Sequence, residues 1–414
     1  MITEMQGHNL LNPTFVKPRF DSHGFANLPA LITSLFGGPK ASRPFSGLDE
    51  TYDNVLLFFA DGFGWRFFER FADSPALERF TRQGKVAKLT SLFPSTTSAH
   101  IPFIHSGLPM GESGLHEWNY YEPLLDAMIV PLLFSFSGSA ERDQLKSTGI
   151  DPKTLYPPRS LYRRLKGLGV KSQVFQHREY TPSTYSNIAF KGANARGFKT
   201  LPELLVNLRA ALSVTKGKNY LFVYYDKIDS INHDYGPDSP QADAEIDTFL
   251  TILERHFFAQ RPKGNGKTLL LLTADHGQAE VDPKTTVYLN RAFPGIENFI
   301  RTTATGQLLV PGGSCRDMFL YIKDEHLDEA QAMLSAGLAG KADVVRTAHL
   351  VEAGYFGPDV TPRLTERLGN LVILTYRYES VWWYEKGKYE QKYYGHHGGL
   401  TPQEMEIPLL ALEI

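Results

Sequence analysis

Five short segments carry the residues that could hold metal ions or supply a hydroxyl nucleophile. Asp61 follows the apolar run VLLFFA and precedes a glycine. LFPSTTSAH sets a hydroxyl cluster, Ser95, Thr96 and Thr97, behind a proline. In YYDKIDSINHDYG, Asp229 and His233 stand four residues apart, which on a helical turn puts both side chains on one face, as a shared metal requires. LLLLTADHGQ ends an apolar strand in Asp275 and His276, and YYGHHGGLTP sets His396 and His397 between glycines. Taken singly, a strand-end Asp before Gly is a turn former and a Ser/Thr cluster is a helix N-cap. Five such turns in one domain are a different matter, because their strands would bring them together. Carboxylates and imidazoles without a thiolate suit zinc or a neighbouring divalent ion, whereas magnesium alone favours oxygen ligands. Two metals are the economical count, held by Asp61, Asp229, His233, Asp275, His276 and one of the last two histidines, with a hydroxyl left to meet the substrate.

The elements that must position these residues alternate. Apolar runs before Asp61, from Val170, from Tyr220 and from Thr268 read as buried strands, and Trp65 to Phe80 and Leu201 to Val214 have helical spacing. That alternation predicts an α/β domain with a mostly parallel central sheet flanked by helices, and ligands at the carboxyl ends of its strands. Residues 1–47, rich in Gly, Pro, Asn and Ser, read as an irregular lead lying across the main domain. The core is expected in 48–284 and 392–414, where IPLLALEI restores the α/β pattern. Residues 285–391 are expected to form a small inserted α+β cap, with a hairpin turning near Gly387 in SVWWYEKGKYEQKYY. Trp382, Trp383 and Tyr384 there are expected to be cross-strand packing.

With 43 basic and 45 acidic residues among 414, no bulk field attracts a polyanion or an anionic membrane, so a phosphate preference must come from a local site. Cys315 is the single cysteine, which excludes a disulfide framework and a thiolate zinc cluster and fits a reducing compartment. The first residues lack a basic start followed by an apolar run, and no stretch is long and apolar enough to span a bilayer. The expected location is cytoplasmic.

The order Asp61, FPSTT, DSINHDYG, ADHGQ and GHHGGL resembles the type I phosphodiesterase/nucleotide pyrophosphatase family of the alkaline phosphatase superfamily, from about Asn54 to the C-terminus. The resemblance implies an alkaline-phosphatase-like sandwich and places the nucleophile at Thr97, not Thr96. It implies one metal on Asp61, Asp275 and His276 with Thr97, and a second on Asp229, His233 and His397, zinc or else manganese; His396 would point elsewhere. The implied partner is a small-molecule phosphate ester, and the implied reaction cleaves phosphodiester or pyrophosphate bonds through a phospho-threonine, with retention at phosphorus. Tyr224 matches a tyrosine lining the family's leaving-group pocket. The chain departs from the family at His100, where an Asn usually donates to a phosphate oxygen, and at Ser98, where an aromatic often stacks on a base. His100 is expected to donate that hydrogen bond and, when protonated toward about pH 6, to add charge suited to monoesters. A phosphomonoesterase or a phosphonate hydrolase on the same core is the alternative, with Arg316 as a candidate cap arginine. A non-catalytic metal-binding protein is opposed by the presence of all six ligands and the hydroxyl, and a sulfatase by the absence of its nucleophile motif around Cys315.

Overall fold

The computed structural model describes residues 11–48, 50–260 and 264–414. Residues 1–10, on which the expected lack of a leader rests, lie outside the described residues. The strands that position the site are β1 (Asn54–Ala60), β2 (Lys85–Thr90), β3 (Lys171–His177), β4 (Ala193–Phe198), β5 (Asn219–Tyr225), β6 (Thr268–Thr273), β7 (Asp317–Leu320), β8 (Ala342–Arg346), β9 (Leu371–Thr375) and β10 (Glu406–Glu413). The helices that matter here are α1 (Leu28–Leu35), α2 (Thr97–Ser106), α3 (Leu201–Ser213), α4 (Lys227–Tyr235), α5 (Pro240–His256) and α6 (Leu327–Gly337).

Among the described residues the main sheet has seven strands in the order β2-β10-β6-β1-β5-β3-β4. Of these, only β10 runs antiparallel to its neighbours. Every residue of β1, β5 and β6 is buried, which explains why these segments read as unbroken apolar runs: a parallel sheet covered on both faces has no solvent side to alternate with. At their amino ends Asn54, Asn219 and Thr268 lie in register and bond across the sheet: Asn219 Nδ2 donates to Asn54 Oδ1 (3.1 Å), and Asn54 Nδ2 to Thr268 Oγ1 (3.1 Å). With the starts aligned, the carboxyl ends of the three strands open at one edge, where Asp61, Asp275 and the start of α4 stand. α5 is a 17-residue helix capped by Ser239, whose side chain accepts from Ala242 N, and it packs against α3 and α4.

A second hydrophobic cluster, from Leu289 to Tyr389, is built around the antiparallel sheet β7-β9-β8 and α6. Two expectations need correction. The lead is not irregular throughout: Leu28, Leu31, Ile32 and Leu35 of α1 share one face and pack into the main core, in a helix too short for its period to stand out among Gly, Pro and Ser. The hairpin near Gly387 is only the tight Glu385–Tyr389 bridge, and Val381–Trp382 pairs instead with Val287–Tyr288, in parallel. Trp383 is buried in the second cluster and Trp382 packs against it. A third sheet, of Tyr120–Glu122, Ala127–Val130 and Ser135–Phe136, has no counterpart in the sequence reading; its strands are too short to carry a period.

Candidate active site

Two close glycine contacts let the strand ends meet. Gly62, with φ of +72°, turns the chain after Asp61 so closely over α4 that a Cβ there would lie 3.0 Å from Asp229 Cα. Its N–H donates to Asp275 Oδ1 at 3.2 Å, tying the ends of β1 and β6. A Cβ on Gly64 would come within 2.6 Å of Gly277 Cα, so the Asp61 and Asp275 turns touch through bare backbone. Thr97 is the first residue of α2, with Thr96 at the N-cap, and so sits where the helix presents unpaired N–H groups and its positive end. Thr97 Oγ1 lies 3.1 Å from His276 Nε2 and 3.4 Å from each Asp61 oxygen.

Three histidines share one arrangement. The Nδ1 of His276 bonds to Gly277 O (2.9 Å), that of His233 to Gly395 O (2.8 Å) and that of His397 to Ser95 O (3.0 Å). A carbonyl can only accept, so each Nδ1 carries a proton and each Nε2 is the ring nitrogen turned toward the site. Those Nε2 atoms face carboxylates: His276 is 3.5 Å from Asp61 Oδ1 and from Asp275 Oδ2, His233 is 3.4 Å from Asp229 Oδ2, and His397 is 3.7 Å from Asp229 Oδ1. The rings of His276 and His397 stack with centroids 3.6 Å apart. Among the described residues, donor atoms within 4.8 Å of one another form two groups, Asp61–Asp275–His276 and Asp229–His276–His397. His276 thus belongs to both, and His233, expected in the second, approaches it through Asp229.

The electrostatics of this corner are those of an ion site. Burial, then the charges of Asp275 and Asp229, pushes the Asp61 carboxyl well above its usual range, against the hydroxyl of Tyr224, which donates to it. Burial also raises Asp275, whose Oδ2 is buried without a hydrogen-bond partner among the described residues. Burial would raise Asp229 too, but His233 and, less strongly, His397 and His276 hold it well below the usual carboxylate range. Burial, with His276 beside it, pushes His397 well below an ordinary imidazole. Three crowded carboxylates, one oxygen without a hydrogen-bond partner among the described residues and three imidazole Nε2 atoms turned toward them fit divalent cations, which relieve the repulsion and displace any Nε2 proton.

His100 does not join them. It is fully buried in α2, with Nδ1 bonded to Thr96 O (2.7 Å) and Nε2 accepting from Leu92 N (3.0 Å) beside Ser91 Oγ (2.9 Å). Burial pushes its pKa down to about 3, so it has no N–H for a phosphate and no charge to gain near pH 6. The expected phosphate donor is a packing residue, because α2 turns the ring inward against Phe25, with centroids 4.6 Å apart. Arg316 is likewise unavailable: it is 0% exposed and makes a two-pronged pair with Glu404, Nε to Oε1 and Nη2 to Oε2, both 3.0 Å. Tyr224 is bonded to Asp61, and its ring lies edge-on to Tyr180, whose hydroxyl donates to Asp226 (2.6 Å). His396 belongs to neither ligand group, its Nδ1 engaged with the backbone of His397. His105 is buried against Tyr162, His116 is buried beside Tyr120, and His177 bonds to Lys199 O. Sequence reasoning missed Gln278, which donates to Asp229 Oδ1 at 2.5 Å, and Ser95, whose carbonyl orients His397. Gln278 lies three residues beyond Asp275, in the same motif, and that adjacency was the available signal.

The sheet order, the flanking helices and the ligand-rich corner at the strand ends define an alkaline-phosphatase-like fold. Murine ectonucleotide pyrophosphatase/phosphodiesterase 5, solved as an inactive variant in complex with AMP, superposes with a TM-score of 0.64 at 15% identity, covering 87% of each chain. The human ectonucleotide pyrophosphatase/phosphodiesterase 5 gives 0.64 at 14% identity, with 87% of each chain covered. Phosphonoacetate hydrolase from Sinorhizobium meliloti 1021, bound to phosphonoformate, gives 0.59 at 17%, covering 86% of this chain and 89% of the other. No curated protein matches in sequence. The sequence profile of the type I phosphodiesterase/nucleotide pyrophosphatase family matches residues 55–400, and the chain belongs to that family. Among the described residues no helix is long and apolar enough to cross a membrane.

Proposed function

We propose that this chain hydrolyses phosphodiester or pyrophosphate bonds of small-molecule esters, with Thr97 as nucleophile. The observation that carries the reading is the position of Thr97 Oγ1, at a helix N-terminus and within 3.1 to 3.4 Å of His276 and Asp61. Asp61, Asp275 and His276 would hold one divalent ion and Asp229, His233 and His397 a second, zinc or manganese. Bound there, they supply the positive charge that lowers the pKa of a threonine hydroxyl and stabilises charge developing on the phosphoryl oxygens.

The residues of the chain do the rest. Thr97 Oγ attacks phosphorus in line; the Oγ–P bond forms as the P–O bond to the leaving group breaks, the hydroxyl proton ends on the departing oxygen, and a phospho-threonine results. The N-terminus of α2 favours the negative phosphoryl oxygens. Water then attacks from the vacated side, the P–Oγ bond breaks, and the threonine regains its proton, giving net retention. The Gln278 amide steadies Asp229 and the Tyr224 hydroxyl steadies Asp61. Residues 285–391 are read as a cap on this core, and the lone buried Cys315 supports a cytoplasmic setting.

Between Thr90 and Tyr121 the sequence holds no Lys or Arg, and His100 stays neutral, so the surroundings of Thr97 suit a monoanionic diester better than a dianionic monoester. The test is a panel on one metal-assayed preparation: bis-p-nitrophenyl phosphate, p-nitrophenyl phosphate, a nucleotide 5′-ester and phosphonoacetate. The activated diester is expected to exceed the monoester in kcat/KM by at least about tenfold at about pH 8. The gap should not narrow through His100 as the pH falls to about 6, and His100→Asn should leave the pH profile of the ratio unchanged. A monoester or phosphonate preference replaces this reading.

A further inference from the structure

We propose that Tyr393 is a stacking platform for the leaving group, so that the preferred substrates carry a planar aromatic leaving group rather than an alkyl one. The inference rests on the hydrolase reading and deepens it. In the proposed reaction the departing oxygen leaves on the side of phosphorus away from Thr97, which stands beside Asp61 and His276, and the second ligand set, Asp229, His233 and His397, would receive it there. The first group attached to that oxygen therefore meets whatever flanks His233. Three rings flank it, His396 at 5.0 Å, His397 at 5.1 Å and Tyr393 at 4.8 Å between centroids, and of the three Tyr393 is the exposed one.

The segment carrying this ring is held from several sides. Tyr393 N donates to Gln391 Oε1 (3.0 Å), Tyr394 N to His233 O (2.8 Å), and His233 Nδ1 to Gly395 O (2.8 Å). A Cβ on Gly395 would lie 2.3 Å from Asn232 O, so the segment presses directly on α4. Neighbouring aromatics of the same stretch, Trp383 and Tyr389, are buried in the second hydrophobic cluster, whereas Tyr393 and Tyr394 are 44% and 46% exposed, and of these two it is Tyr393 whose ring lies against His233. An aromatic ring kept out of the core, on backbone fixed to a site histidine, is preorganised for contact with a ligand face, and little side-chain freedom is lost when it binds.

The test measures binding apart from turnover. In the metal-loaded Thr97→Ala protein, dissociation constants are determined for phenyl methyl phosphate and cyclohexyl methyl phosphate, which match in charge and bulk and differ in planarity. Adding Tyr393→Ala should weaken the phenyl ester about three- to tenfold and the cyclohexyl ester less than about twofold, and Tyr393→Phe should retain the preference. Metal content should be the same in all three proteins. Equal losses for both esters, no loss for either, no binding of either ester before substitution, or metal loss in Tyr393→Ala would overturn the proposal; the last would make the ring a shield for His233. Failure of the hydrolase reading has a separate signature: the intact Thr97 protein cleaves neither ester, whatever Tyr393 does to binding.

Discussion

Two buried clusters of charge flank the loop that carries His397. In one, Arg316 and Glu404 are both fully buried, and Glu404 also accepts from Gly399 N (3.0 Å) and from Thr401. The protein supplies its own counter-charge there, and both carboxylate oxygens are met by the guanidinium. In the other, Asp61, Asp229 and Asp275 crowd together against histidines that turn Nε2 inward, and Asp275 Oδ2 has no hydrogen-bond partner among the described residues. The difference separates structure from function. A buried ion pair completed by the chain organises a loop, whereas carboxylates left short of positive charge mark where an ion belongs.

The sharpest way to break that comparison is at the hydroxyl between cluster and substrate. Thr97→Ala should lower kcat by at least about three orders of magnitude while metal analysis still finds both ions, since the carboxylate and imidazole ligands remain. Thr96→Ala should cost far less, and an essential Thr96 would move the nucleophile by one residue. Next in size is the self-contained cluster: Arg316→Met leaves Glu404 buried without its partner and should cost about 3–5 kcal/mol in chemical denaturation, with metal content per folded chain unchanged. Metal loss in that variant would merge the two clusters into one.

At the ion cluster itself, chelation should abolish activity until zinc or manganese is returned, and His397→Ala should lower occupancy of one ion only. His396→Ala should leave both, because its Nδ1 is engaged with the backbone of His397. Equal metal loss in the two variants would dissolve the distinction between them. The smallest effect concerns Glu117, which faces Asp317 and Thr96 and whose carboxyl is pushed up to about 8 by burial, against the N–H of Trp118. Folded, it keeps its proton over a range where the unfolded chain has lost it, so stability should fall as pH rises from about 4.5 to about 8. Glu117→Gln should flatten that fall by several degrees in Tm, and an unchanged slope would exclude Glu117 as its source.

Much of this was legible in the chain itself. The unbroken runs of β1, β5 and β6 demanded strands covered on both faces, and the Asp and His residues at their ends could be named because a parallel sheet delivers its strand ends to one edge. The spacing of Asp229 and His233 put them on one face of α4, where their side chains come within 3.4 Å. Tertiary structure alone decided which polar groups were already satisfied. His100 and His397 are both buried imidazoles inside motifs, but Leu92 N and Thr96 O occupy both nitrogens of the first, while only Nδ1 of the second is taken and its Nε2 faces Asp229. Arg316 looks in sequence like any cap arginine, and its role was set by Glu404, 88 residues away in the chain. Local pattern reports what a backbone will do because periodicity and burial act over a few residues. Whether a donor is free depends on partners that only folding brings within hydrogen-bond reach.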